Sequence, residues 1–68
     1  MRILLVTETL TAGGAETFVI RLANALAADH EVTIAVLHGE MVNPAIAAKV
    51  AASVRVERLR LQAKRLLF

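Results

Sequence analysis

Sixty-eight residues allow one small domain at most, and a chain of that size buries only about 60% of the surface its unfolded form exposes. A composition that is 57% hydrophobic yet holds only two aromatic residues excludes an intrinsically disordered chain and predicts a core of Leu, Ile, Val and Ala. The net charge is +2 and cysteine is absent, which excludes a disulfide framework and a thiolate metal site.

In chain order, Arg2 to Thr7 reads as a strand. Its apolar residues are continuous from Ile3 to Val6, the pattern of a strand buried on both faces in the middle of a parallel sheet. Glu8 to Ala12 is a polar loop, and Gly13-Gly14 follows it. From Ala15 to Ala28 the spacing predicts an amphipathic helix with Phe18, Val19, Leu22, Ala23 and Leu26 as its buried stripe. Glu16 stands in its first turn, where the helix dipole favours a carboxylate, and Asp29-His30 ends it. Val32 to Leu37 is a second buried strand, rich in β-branched residues. Asn43-Pro44 supplies an N-cap and first turn for a short helix through Ala52, with Ile46 and Val50 on one face. Ser53 to Leu61 alternates as an edge strand whose phase slips near Glu57-Arg58, through a bulge or by ending there, and Gln62 to Phe68 resembles the start of another helix.

This β-α-β-α-β sequence predicts the α/β class, as the first half of a doubly wound, Rossmann-like parallel sheet with strand order 3-2-1. If both crossovers step the same way, both helices cover one face and leave the other bare. Residues 1–68 are therefore expected to be the first half of an amino-terminal domain, a fragment completed by further chain or by a partner.

Six of the eight basic residues, Lys49, Arg55, Arg58, Arg60, Lys64 and Arg65, lie in the last third. Without interleaved aromatics they predict a solvated edge rather than a nucleic-acid surface. The Leu- and Arg-containing tail from Arg58 to Phe68 offers at most peripheral membrane contact, with packing on the sheet as the ordinary reading. The apolar run Ile3 to Val6 is too short for a signal peptide or membrane span, so a cytoplasmic placement is expected.

The stretch with chemical potential is Gly13-Gly14 between strand and helix, because the amides of a helix's first turn carry positive partial charge and attract anions. A dinucleotide fingerprint and a P-loop are both missing, since Gly14 is followed by Ala15-Glu16-Thr17 and the second strand ends in Leu37-His38. His30 and His38 match no ligand spacing, and no metal or cofactor is expected. His30 reads as a helix end, and His38 as a loop histidine on the side of the sheet where ligands of open α/β folds bind.

The buried first strand, Gly13-Gly14-Ala15-Glu16, Leu22-Ala23-Asn24-Ala25-Leu26 and His30-Glu31-Val32-Thr33 together resemble the amino terminus of the GT-B glycosyltransferases of family 4. The resemblance covers about the first forty residues and is architectural beyond Gly39. It implies a retaining enzyme of two Rossmann-like domains, with a nucleotide-sugar co-substrate held mainly by the carboxy-terminal domain and an acceptor by the amino-terminal one. The glycine loop would face the donor diphosphate, so that Gly13, Gly14, Ala15 and Glu16 are the implied donor-phosphate and acceptor-binding positions. The family's carboxy-terminal glutamate pair and the basic residues that hold the diphosphate have no counterpart within residues 1–68, so the chain as given is expected to be inactive alone. A different reading of the same residues is a non-catalytic α/β module that pairs through its uncovered sheet face.

Overall fold

A computed structural model describes residues 1–60. It contains β1 (Arg2–Thr7), α1 (Gly14–Leu26), β2 (Glu31–Val36), α2 (Pro44–Ala47) and β3 (Arg55–Arg58). The helix expected from Gln62 and the cations Lys64 and Arg65 lie outside the described residues.

The three strands form one parallel sheet. β1 pairs with β2 from Arg2 opposite Glu31 to Thr7 opposite Val36, and β2 pairs with β3 from Thr33 opposite Arg55 to Val36 opposite Arg58. The hydrogen-bonded order is β1-β2-β3, which is 3-2-1 read from the opposite edge, with β2 between its sequence neighbours. The expectation fails in what surrounds β1. The sequence pattern put β1 inside a wider sheet, whereas among the described residues it is an edge strand with a burial pattern that alternates. A continuous apolar run says that both faces can be buried; it does not say that both are covered.

Alternation along the strands places Ile3, Leu5, Val32, Ile34, Val36 and Val56 on one face. That face packs against Ile20 and Ala23 of α1 and against Ile46, Ala47, Val50 and Ala51 around α2. Both helical segments therefore cover the same side, as the sequence requires of two crossovers in one direction. The opposite face carries Arg2, Leu4 and Val6 of β1 beside Glu31, Thr33 and Ala35 of β2 and Arg55 and Glu57 of β3. Leu4 is 62% exposed and Val6 56%.

Helix α1 is rotated from its expected setting. Ile20 and Ala23 are buried, with Val19, Leu26 and Ala27 packed beside them, while Phe18 is 65% exposed and Leu22 also faces out. The cause is Asn24, whose amide nitrogen donates to the Lys49 carbonyl at 2.9 Å and whose amide oxygen accepts from the Ala51 N–H at 2.8 Å. Holding Asn24 against the turn after α2 carries Ile20 and Ala23 toward the sheet and turns Phe18 and Leu22 away. The apolar residues of this helix span two overlapping stripes, and a polar residue chooses between them.

The short helix starts as its sequence dictates, with the Asn43 side chain accepting from the Ala45 N–H at 2.9 Å and Pro44 in the first turn. It is shorter than expected, one helical turn continued by tight turns through Lys49 and Val50. β3 ends at Arg58, next to the phase slip.

Replacing Ile20 by Ala should cost about 2–4 kcal/mol, the usual cost of truncating a buried aliphatic side chain, whereas Phe18→Ala should stay within about 0.5 kcal/mol. Asn24→Ala should cost about 1–2 kcal/mol by removing the bond to the exposed Lys49 carbonyl and leaving the part-buried Ala51 N–H without its acceptor. Urea unfolding of the three variants at low protein concentration checks this order; a Phe18 loss as large as that of Ile20 would restore the stripe expected from the sequence.

Candidate functional site

The glycine loop is fixed by Leu10, the one large apolar residue of the polar segment between Glu8 and Ala12. Leu10 is completely buried, and its backbone forms a parallel bridge with Val42: the Leu10 N–H donates to the Met41 carbonyl at 2.9 Å, and the Asn43 N–H donates to the Leu10 carbonyl at 2.8 Å. The His38 N–H donates to the Glu8 carbonyl at 2.8 Å. The segments after β1 and β2 are thereby joined beyond the carboxyl ends of the strands. A lone leucine between threonines was the available signal, because an extended Thr9-Leu10-Thr11 sends its middle side chain to one side and its neighbours to the other.

Those neighbours reach the start of α1. The Glu16 carboxylate accepts from the Thr9 hydroxyl at 2.9 Å and from the Thr11 hydroxyl at 3.0 Å. The Thr7 hydroxyl donates to the Thr9 carbonyl at 3.1 Å, which steadies the same turn. The Thr9 hydroxyl above all, then the amide of Glu16 itself and the Thr11 hydroxyl, hold the Glu16 carboxyl below its ordinary pKa of 4.5.

Gly13 is the N-cap of α1 in extended conformation, and its carbonyl accepts from both the N–H and the hydroxyl of Thr17, at 3.1 and 3.0 Å. Neither glycine needs a left-handed backbone, for no glycine among the described residues has positive φ. What a side chain at Gly13 would meet is Glu16: a Cβ there would stand 2.8 Å from Oε1. At Gly14 a Cβ would meet nothing within 4 Å. Gly13, Gly14 and Ala15 are exposed and Glu16 is half-buried, so the four positions adjoin at one helix start. The negative group beside that start is the chain's own carboxylate. The first-turn role of Glu16 accounts for its position, and its carboxylate lies over Gly13 rather than pointing away from the loop.

His38 lies at the same end of the sheet, with Nδ1 3.9 Å from Glu40 Oε1, and it forms an antiparallel bridge with Arg60. Arg58 Nε donates to the Gly39 carbonyl at 2.8 Å. Gly39 is the glycine with a steric requirement: a Cβ there would stand 2.5 Å from the Leu59 carbonyl oxygen and 2.8 Å from Arg58 Cβ. His30 is at the other end, in the turn before β2, where its N–H donates to the Leu26 carbonyl at 3.0 Å and its buried Nδ1 has no partner among the described residues. A groove of about 660 Å³ lined by Met1, Arg2, Ala27, Ala28, Asp29, His30 and Glu31 opens there, away from the glycine loop.

Among the described residues no group of three His, Cys, Asp or Glu could hold a metal ion, and no helix is long and apolar enough to cross a membrane. Compared with known proteins, the chain matches no family model, no curated protein and no solved structure.

A carboxyl group held below its ordinary pKa adds stability that is present above that pKa and lost as pH falls through the folded value. The stability difference between the parent chain and Glu16→Gln should therefore be constant above about pH 5 and narrow as pH falls below 4.5. Urea unfolding of both proteins from pH 3 to 6 checks it; a difference that is independent of pH would show that the bonds from Thr9 and Thr11 do not depend on the charge.

Proposed function

We propose that residues 1–68 are the acceptor-side, amino-terminal segment of a retaining glycosyltransferase of GT-B architecture, which moves a sugar from a nucleotide-sugar to an acceptor. In this reading the sheet continues past β1 as a doubly wound fold, the protein is cytoplasmic, and a carboxy-terminal domain supplies the catalytic residues and most of the donor site. The observation that carries it is the Gly13-Gly14-Ala15-Glu16 start of α1, exposed at the carboxyl end of a parallel sheet and held on a fastened loop. That is the position from which backbone amides stabilise charge developing on a departing diphosphate. The remaining support is sequence resemblance, in the glycine motif and in His30-Glu31-Val32-Thr33.

Glu16 adds a condition. A diphosphate approaching Gly13 meets a carboxylate, so donor binding requires that Glu16 turn from its threonine partners and leave the loop amides to the ligand. The cost of breaking those bonds makes the segment a weak anion site by itself, consistent with half a site that needs the opposite wall of a cleft.

A second reading, a non-catalytic α/β module pairing through its uncovered sheet face, is favoured by the exposure of Leu4 and Val6 on that face. It makes Thr33, on the same face of the middle strand, part of the contact. Association abolished by Thr33→Lys would support it.

Gly14 provides the sharper test of the transferase reading because a side chain there has free space in the protein itself. In the full-length polypeptide, Gly14→Leu should leave the fold and thermal midpoint unchanged and lower kcat/KM for nucleotide-sugar transfer by about tenfold or more. Unchanged transfer would remove the loop from the donor site.

A further inference from the structure

The seam between α1 and the segment around α2 is held by Asn24, whose amide bonds to the Lys49 carbonyl and to the Ala51 N–H. Along α1 on the amino-terminal side of that tie, the two segments leave a cleft of about 190 Å³ lined by Thr17, Ile20, Arg21, Asn24, Ile46 and Lys49. Both walls belong to the described residues and are fastened to each other, so the cleft lies at a seam within the fold and not at an edge of the sheet.

The least exposed lining residues are apolar, with Ile20 only 4% exposed and Ile46 half-buried. The charged ones are cations, one on each wall. Arg21 and Lys49 are both exposed, neither is in an ion pair among the described residues, and no Asp or Glu lines the cleft. The neutral polar groups are already engaged: the Asn24 amide bonds through both its oxygen and its nitrogen, and the Thr17 hydroxyl donates to the Gly13 carbonyl at 3.0 Å. Charge for a guest therefore comes from the Arg21 guanidinium and the Lys49 ammonium.

We propose that this cleft binds a small organic carboxylate, with its anionic end between Arg21 and Lys49 and its short aliphatic body against Ile20 and Ile46. Two cations lining one cleft with no anion between them repel each other, and a carboxylate removes that repulsion while matching the planar fork of the guanidinium. The apolar residues favour a hydrocarbon body over a bare ion, because hydrocarbon gains by leaving water. Size limits the guest: pockets for drug-sized ligands run to roughly 300–1,000 Å³, so a nucleotide is too large for this cleft. The guest is thus different from the diphosphate donor of the transferase reading, and the inference stands or falls without that reading.

Titration of the 68-residue chain with butyrate, followed by amide nuclear magnetic resonance at constant ionic strength, tests the site. Butyrate should bind with a dissociation constant of about 1–10 mM and move the amides of Thr17, Arg21, Ile46 and Lys49 together. Arg21→Gln and Lys49→Gln, each at an exposed position and each verified as folded by circular dichroism, should weaken binding about threefold to fivefold, and the double variant about tenfold or more. Arg55→Gln, on β3 and away from the cleft, should leave binding unchanged. Acetate, with the same charge and less hydrocarbon, should bind about fivefold more weakly than butyrate. Absence of saturable shifts in the cleft, shifts spread equally over Arg55, Arg58 and Arg60, equal binding by the parent chain and the double variant, or acetate binding as well as butyrate would each overturn the proposal.

Discussion

The burial of Leu10 is the constraint on which the glycine-loop end of this molecule depends. A leucine side chain taken wholly out of water is worth about 1.5–3 kcal/mol, which offsets the ordering entropy of roughly one or two residues of the segment after β1. Once Leu10 points into the core, its two backbone bonds to Met41 and Asn43 follow, and with them the junction to the segment after β2. The same alternation turns Thr9 and Thr11 to the other side, where both donate to Glu16. The start of α1 is thus positioned by a hydrophobic residue six places before its carboxylate and four before Gly14. A polar loop with one leucine becomes a fixed platform for a pair of glycines.

Much of the fold is legible in the sequence because local chemistry decides it. Asn43-Pro44 caps α2, β-branched residues mark β2, and the phase slip after Glu57 marks the end of β3. Where the reading fails, something distant makes the choice. The stripe of α1 is set by Asn24 gripping the Lys49 carbonyl and the Ala51 N–H, about twenty-five residues on. The central place expected for β1 rested on hydrophobicity alone, which measures the capacity for burial and not its supply. Gly39 needs its hydrogen because the chain after β3 returns against it, and no pattern around His38-Gly39 announces that return. At the candidate site the resemblance drew attention to Gly13, Gly14, Ala15 and Glu16, yet the residues that shape them, Thr9, Leu10 and Thr11, belong to no motif.

The charge distribution and the bare apolar surface are two aspects of one asymmetry. The cations gathered late in the sequence include Arg55 and Arg58 of β3, the edge that is protected, as expected of a solvated edge strand. β1 has no such protection, and the face beside it leaves Leu4 and Val6 in water. A chain of this size has little core to spare, so an edge and a face left uncovered among the described residues weigh heavily on its stability. In the proposed transferase, further chain that continues the sheet past β1 meets this deficit.

In the proposed transferase, the start of α1 is an anion site already filled by Glu16, which a diphosphate must displace. Amide nuclear magnetic resonance of the folded chain, titrated with a nucleoside diphosphate to millimolar concentration, tests it most directly. The expected result is shifts centred on Gly13, Gly14 and Ala15, accompanied by Thr9 and Thr11 as they lose their acceptor, and tighter binding in Glu16→Gln than in the parent chain. Shifts confined to the cations around Arg58 and Arg60, with the glycine amides unmoved in both proteins, would contradict it.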